Sequence, residues 1–197
     1  KWDLAYLPVE SPEGQAYVRW MGFALDFAHE NREVILDRVR HIVGKALAPR
    51  LDNQGFEILA HHHCHHNYAA LEVHSGTPLW IHRKGAIRVS KGEIGIIPGA
   101  MGSWSYLVEG KGSAESFNSC SHGAGRQMSR HEAKKRFTLQ ETLRDLENQD
   151  VVLGKVKKGD LSEETRWAYK DIDAVIGNEL DLIKPVRRMK TLAVIKG

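Results

Sequence analysis

The sequence predicts an α+β protein in which a long helix leads into a β-rich middle, followed by a second group of helices and a last strand. Three observations carry this expectation. Ser11-Pro12-Glu13 opens a helical pattern running to about Leu47, and the hydrophobic period shortens between Phe56 and Glu109. Two capping-box signatures then follow in quick succession, at Ser129 and Thr138.

Each element has a local cause. Ser11 can accept a hydrogen bond from a free amide of the first turn, and Pro12 has no amide to leave unpaired. Trp20, Phe23, Ala24, Phe27 and Ala28 recur on one helical face, and Val34, Ile35, Val39 and Val43 continue it. Ala48-Pro49 ends the pattern, because a residue before proline resists the helical conformation. Short apolar runs at 56–59, 79–81 and 94–97, bounded by Gly, Ser and Pro, read as strands. Ser129-Arg130-His131-Glu132 and Thr138-Leu139-Gln140-Glu141 predict helices over 130–136 and 139–148. A further helix is expected over 171–180, and 186–195 alternates like one closing strand. With no repeat, low-complexity tract or clear linker, one domain over 1–197 is the simplest expectation.

The 197 residues are 42% hydrophobic and 27% charged, the balance of a soluble globular chain able to bury a core. No apolar run approaches the roughly 18 residues of a membrane span, and Lys1-Trp2-Asp3-Leu4 does not read as a secretory leader. Two cysteines, Cys64 and Cys120, are too few for a disulfide framework, so a cytoplasmic setting is expected. The net charge of +3 says little, but its distribution says more. Arg126, Arg130, Lys134, Lys135 and Arg136 cluster with only Glu132 against them, and Lys184, Arg187, Arg188 and Lys190 form a second group. Such runs are most often solvated faces. Proximity to a glycine loop turns the first toward phosphate binding.

That loop is Ser121-His122-Gly123-Ala124-Gly125-Arg126. Its small residues let backbone amides approach a phosphate, arginine can clamp phosphate oxygens, and His122 can act as a nucleophile toward phosphorus. A buried structural histidine is the bland reading, and flanking glycines, which give space rather than packing, oppose it. Cys120 lacks an identifiable base and ranks below His122 as a nucleophile. Pro98-Gly99-Ala100-Met101-Gly102-Ser103 follows an expected strand. It lacks the Gly-Lys-Ser/Thr ending of a P-loop and does not match a Rossmann fingerprint. The cluster His61-His62-His63-Cys64-His65-His66 carries metal-ligand chemistry. No second Cys/His group gives zinc-finger spacing, so one or two ligands are expected, the rest being structural.

In order along the chain stand His65-His66-Asn67-Tyr68-Ala69, His82-Arg83-Lys84-Gly85-Ala86, the Pro98–Ser103 loop, and Phe117-Asn118-Ser119-Cys120 leading into the His122 loop. Ala168-Tyr169-Lys170-Asp171-Ile172 and the ending Val194-Ile195-Lys196-Gly197 complete the set. Taken together, the chain resembles the C-terminal half of an RtcB-type RNA-splicing ligase, a family of tRNA splicing and RNA repair. The resemblance implies an RtcB-like fold, a mixed β-sheet core with flanking helices, incomplete relative to the family. It implies joining of RNA 2′,3′-cyclic phosphate or 3′-phosphate ends to 5′-hydroxyl ends with GTP and manganese, through a guanylated histidine.

His122 matches that histidine, His66 a manganese ligand, and Asn67 a residue contacting the guanylate. Pro98, Gly99, Ala100, Met101, Ser105, Gly123, Ala124 and Gly125 match the nucleotide cradle, and Lys196 the terminal lysine at guanine. Arg126 and Arg130 match positions that hold RNA or leaving phosphates. RNA, archease and a missing N-terminal half of the enzyme are the implied partners. That half carries the family's Asp-x-x-Cys metal motif and further metal-binding histidines. Ala100 stands where serine is common, and Trp104 where a smaller residue is. Two other classes remain open: a non-catalytic RNA- or nucleotide-binding module, and a metal-binding structural protein built on the histidine cluster.

Overall fold

The computed structural model describes residues 5–51, 55–154 and 161–195. They fall into two compact units, Lys1–His63 and Cys64–Gly197.

The first unit is built on helix α1, Pro12–Leu47. Ser11 caps it as expected, its hydroxyl accepting from the Gly14 amide at 3.0 Å. A short 3-10 turn, Ala48–Arg50, follows where Pro49 forbids continuation. The apolar face read from the sequence exists, but the described residues leave it largely uncovered. Trp20, Phe23 and Phe27 are 71%, 63% and 67% exposed, and Gly14 is the helix's buried residue. Periodicity marks which face can bury, not whether anything covers it.

The second unit carries small sheets and short helices. Strands β1 (Asn67–His74) and β2 (Thr77–Lys84) form an antiparallel hairpin. Its tip, Ser75-Gly76, has φ of +50° and +79°, the left-handed pair that matches the twist of the strands. Strand β3 (Ala86–Arg88) pairs with β6 (Ser119–Ser121), Ala86 facing Ser121 and Ile87 facing Cys120. Strands β4 (Ile94–Ile97), β5 (Ser105–Gly110) and β8 (Ile183–Met189) form an antiparallel sheet in the order β4-β5-β8. Strands β7 (Val152–Gly154) and β9 (Ala193–Ile195) pair in parallel.

Helices α2 (Arg130–Arg136) and α3 (Leu139–Asn148) stand where the capping signatures put them. Thr138 and Glu141 complete a reciprocal capping box. Helix α4 spans Ile172–Asn178, with Asp171 as its cap. Two 3-10 turns, Leu161–Glu164 and Arg166–Ala168, were not legible from periodicity, being too short to show any.

Two expectations are corrected. The run 56–59, expected as a strand, lies in a segment without regular structure, because no strand among the described residues pairs with it. The closing strand over 186–195 is two strands in different sheets, because β8 follows β5 while β9 leaves to pair with β7. The mixed β core implied by the resemblance is made, among the described residues, of small sheets flanked by helices. Among the described residues no helix is long and apolar enough to cross a membrane.

The main core joins Ile87, Val89, Ile97, Val108, Cys120, Ile172, Ile176 and Ile183, drawn from β3 and the residue after it, β4, β5, β6, α4 and β8. A second cluster unites Met101, Leu146, Val151 and Leu161. The main core closes tightly over Gly95, where an added Cβ would lie 2.7 Å from Val89 Cγ1 and 2.8 Å from Ile87 Cδ1. Gly95→Ala should therefore destabilise the protein by about 1–3 kcal/mol through overpacking. Adding Ile87→Val, which removes the Cδ1 atom, should return part of that loss in urea unfolding.

Candidate functional site

His122 leaves the end of β6, and its position is set by what holds that strand. Ser121 donates its amide to Glu179 Oε1 at 3.0 Å, and its hydroxyl also donates to Glu179. One residue earlier, Cys120 lies in the core with 4% exposure. Burial, together with the charge of Glu179, pushes its thiol up to about 12. Cys120 is thus a protonated packing residue at neutral pH, in keeping with its low rank as a nucleophile.

The turn before β6 is strained. Phe117 and Asn118 are both left-handed, at φ of +51° and +53°. Arg83, 2% exposed on β2, holds it by donating to the Phe117 carbonyl at 2.8 Å and to Ser119 Oγ at 2.9 Å. Its charge is met by Glu72 of β1 through a two-pronged pair of 2.5 and 3.0 Å. Hydrogen bonding from Arg83, with a contribution from His74, keeps the Glu72 carboxyl below its ordinary value of 4.5.

Backbone hydrogen bonds tie the separate motifs into one place. Gly85 donates to the His66 carbonyl at 3.1 Å, and His122 donates to the Gly85 carbonyl at 3.4 Å. Ala124 donates to Pro98 O at 3.1 Å, and Lys170 donates to Gly125 O at 2.9 Å. The imidazoles of His66 and His122 meet edge to face, with centroids 5.2 Å apart. His122 Nδ1 is buried with no hydrogen-bond partner among the described residues. Desolvation first, then the neighbouring His66, lowers the His122 pKa from its ordinary 6.5, which favours the neutral imidazole.

The Pro98–Ser103 loop turns sharply, with Ser103 donating to Ala100 O at 2.9 Å and Gly102 at φ +78°. Gly99 has no room for a side chain, since a Cβ would fall 2.1 Å from the Trp104 carbonyl oxygen. Its amide instead donates to Ser105 Oγ at 3.3 Å. Met101 is buried in the second core cluster, so its side chain anchors the loop. Trp104 carries the Arg188 guanidinium over its ring at 4.2 Å.

The arginines differ. Arg126 is engaged internally, donating to Met128 O at 3.1 Å, Tyr169 Oη at 3.0 Å and Glu163 O at 2.6 Å. Its guanidinium also lies 4.8 Å from the Tyr169 ring centre. Arg130 is far more open, its side chain 70% exposed beside Glu164 at 3.6 Å. Lys134 and Arg136 pair with Glu163 and Glu132, so part of the basic run is neutralised. Asn67 opens β1 in an exposed position opposite Lys84. Lys196 lies outside the described residues.

The histidine cluster does not act as one group. His61 and His63 stand on Glu33 of α1, with His61 Nε2 3.4 Å from Glu33 Oε1 and His63 hydrogen-bonded to the same oxygen. His65 packs against Tyr68, and His66 faces His122. Sequence reading missed Glu72, Arg83 and Glu179 as supports, because only strand register and packing reveal their partners. It also missed His29 and Glu33, whose four-residue spacing on a helix was a usable signal.

All of residues 1–197 match the family described as tRNA-splicing ligase RtcB. The chain belongs to that family. It is 35% identical over 195 residues to the RNA-splicing ligase RtcB of Escherichia coli K12, covering 99% of this chain and 47% of that protein. It is 37% identical over 216 residues to the tRNA-splicing ligase RtcB of Nanoarchaeum equitans, covering 99% and 45%. The RNA-splicing ligase RtcB of Mycobacterium tuberculosis is 33% identical over 215 residues, with 99% and 48% covered. The chain thus spans about half the length of the curated relatives it matches.

Glu72→Ala should cost about 3–5 kcal/mol in urea unfolding, since it strands the buried Arg83 charge. The wild-type contribution of Glu72 is full above its ordinary value of 4.5, because its folded pKa is depressed. It should fade as the pH falls through that depressed value, and the variant should lose this part of the acid dependence.

Proposed function

We propose that this chain carries the nucleotide-transfer portion of a GTP-dependent RNA ligase, with His122 as its nucleophile. The reading rests on one observation above all. His122 leaves β6 beside His66, and its loop is hydrogen-bonded at once to Gly85, Pro98 and Lys170. That brings a neutral imidazole, a glycine loop and a potential metal ligand to one place. Such pre-positioning is what phosphoryl transfer requires of a protein.

With Nδ1 buried, Nε2 is the nitrogen left to react. It attacks the α-phosphorus of GTP, forming an N–P bond as the bond to the departing pyrophosphate breaks. The imidazole proton stays on the buried Nδ1, so the adduct is an imidazolium until the guanylate leaves. The guanylate then moves to an RNA 3′-phosphate oxygen, breaking the N–P bond and restoring His122. Attack by the 5′-hydroxyl of the second RNA forms the new phosphodiester and expels GMP.

The cradle comprises Asn67, the backbone of Pro98 to Met101, Ser105, and the Gly123-Ala124-Gly125 loop, in which the Ala124 amide holds Pro98 O and the glycine amides face the phosphates. Lys196 is assigned to guanine on the resemblance alone. Arg130 has the open guanidinium suited to an RNA phosphate. Arg126 would have to exchange an internal partner to bind one, and otherwise braces the loop from behind.

His66 offers an imidazole donor suited to manganese. Bound there, the ion would neutralise charge on the reacting phosphates. One imidazole is not a complete site. The remaining ligands are assigned to the half of the curated relatives that this chain does not span.

Intact mass spectrometry after incubation with GTP and manganese tests the reading, with the N-terminal half of a family member supplied in trans. One guanylate should appear on the wild-type chain and none on His122→Ala. An adduct persisting on His122→Ala would overturn the assignment. Absence of any adduct, with salt-sensitive RNA binding retained, would make the chain a binding module instead. Arg130→Ala should weaken RNA binding and flatten its dependence on salt, read by filter binding at several salt concentrations.

A further inference from the structure

We infer that His29, Glu33, His61 and His63 form a second metal site, selective for a zinc-class divalent ion and separate from the ligase chemistry. None of the four is among the residues assigned to nucleotide, manganese or RNA.

The placement follows from two periodicities. His29 and Glu33 are four residues apart on α1 and therefore share a face. His61 and His63 are two apart in a segment without helical structure, and both point to that carboxylate. Donor atoms of His29, Glu33 and His63 lie within 4.8 Å of one another. The His63 ring stands 4.4 Å from that of His29 and 4.7 Å from that of His61. Three imidazoles thus gather around one carboxylate.

The dimensions suit a small ion. Tetrahedral zinc, with bonds of about 2.0–2.1 Å, holds neighbouring donors about 3.3 Å apart. The separation of His61 Nε2 from Glu33 Oε1 is already 3.4 Å. Bringing His29, Glu33 and His63, whose donor atoms lie within 4.8 Å of one another, to that spacing requires contraction of at most about 1.5 Å, and His61 joins them by rotating about its contact with Glu33. Three neutral imidazoles and one carboxylate leave one net positive charge on a divalent ion. The donors are borderline-soft, which favours zinc, cobalt or nickel over magnesium or calcium. Four protein ligands leave no position for a substrate, so the ion would be structural. It would clip the segment ending at His63 onto α1.

One contact competes with the ion. Arg32 Nε donates to His63 Nδ1 at 3.3 Å, so without metal His63 carries its proton on Nε2 and gives it to Glu33. Metal binding at Nε2 shifts that proton to Nδ1, and Arg32 must then release the ring. Its hold is loose: Arg32 Nη2 is buried without a hydrogen-bond partner among the described residues. Arg32→Met, which removes the competing donor, should therefore tighten binding.

The test uses the 197-residue chain, stripped of metal by a chelator and titrated with cobalt(II). One equivalent should give the visible absorption of tetrahedral cobalt with nitrogen and oxygen ligands, and zinc should displace it. His29→Gln, His61→Gln and His63→Gln should each weaken cobalt binding at least about tenfold, in line with loss of a ligand. Circular dichroism should show each variant as helical as wild type. His66→Ala should leave the cobalt band intact, and Arg32→Met should strengthen affinity several-fold. Absence of stoichiometric cobalt binding by the wild-type chain would overturn the assignment. So would a band that survives all three glutamine substitutions, or one lost in His66→Ala. A thiolate charge-transfer band would place the ion on Cys64 instead and reject the site.

Discussion

The part of the molecule that positions His122 depends on one buried charge. Arg83 is the point at which the β1–β2 hairpin takes hold of the turn that launches β6. Two successive left-handed residues without glycine's freedom are costly, and they persist only when their surroundings dictate them. Here the dictation is polar. A guanidinium matched by Glu72 gives its remaining donors to the Phe117 carbonyl and to the Ser119 and Tyr68 hydroxyls. From that fixed turn, β6 delivers Cys120 to the core and leads directly into His122. Glu179 holds Ser121 between them.

The same arrangement explains the glycine beside His122, while Gly125 is required by its φ of +70°. Backbones must approach closely where β3, β6 and the Pro98 loop converge. A Cβ on Gly123 would come within 3.1 Å of the Pro98 carbonyl oxygen, and one on Gly99 would strike the Trp104 carbonyl. The His122 and Ala124 amides tie the loop to Gly85 and Pro98, and the apolar core holds Cys120 beneath it. Packing and chemistry are therefore coupled: a change in the core around Ile87 or Cys120 reaches His122 through one strand.

The first unit has a different character. Its helix exposes a band of large apolar side chains, while its polar side gathers His29 and Glu33 under His61 and His63. The histidine run therefore divides at its middle. His61 and His63 serve Glu33, whereas His66 serves the neighbourhood of His122. Residues adjacent in sequence carry separate chemistries because an extended chain sends successive side chains in different directions.

Local signals were legible where the cause is local. Ser11, Ser129 and Thr138 mark helix starts because each satisfies an amide within its own turn, and Gly76 and Gly102 mark turns because of their own φ. The His122 and Pro98 loops could be singled out from residue type alone, and their order along the chain carried the family. Other features depended on residues far apart in sequence. That 186–195 divides between two sheets is decided by which strand lies alongside, a matter of pairing rather than propensity. Arg126 looked available for phosphate until Tyr169 and Glu163, dozens of residues away, took up its donors. Glu72 with Arg83, Glu179 with Ser121, and His29 with His63 are likewise tertiary facts, since a side chain's partner is chosen by the fold that brings the two together.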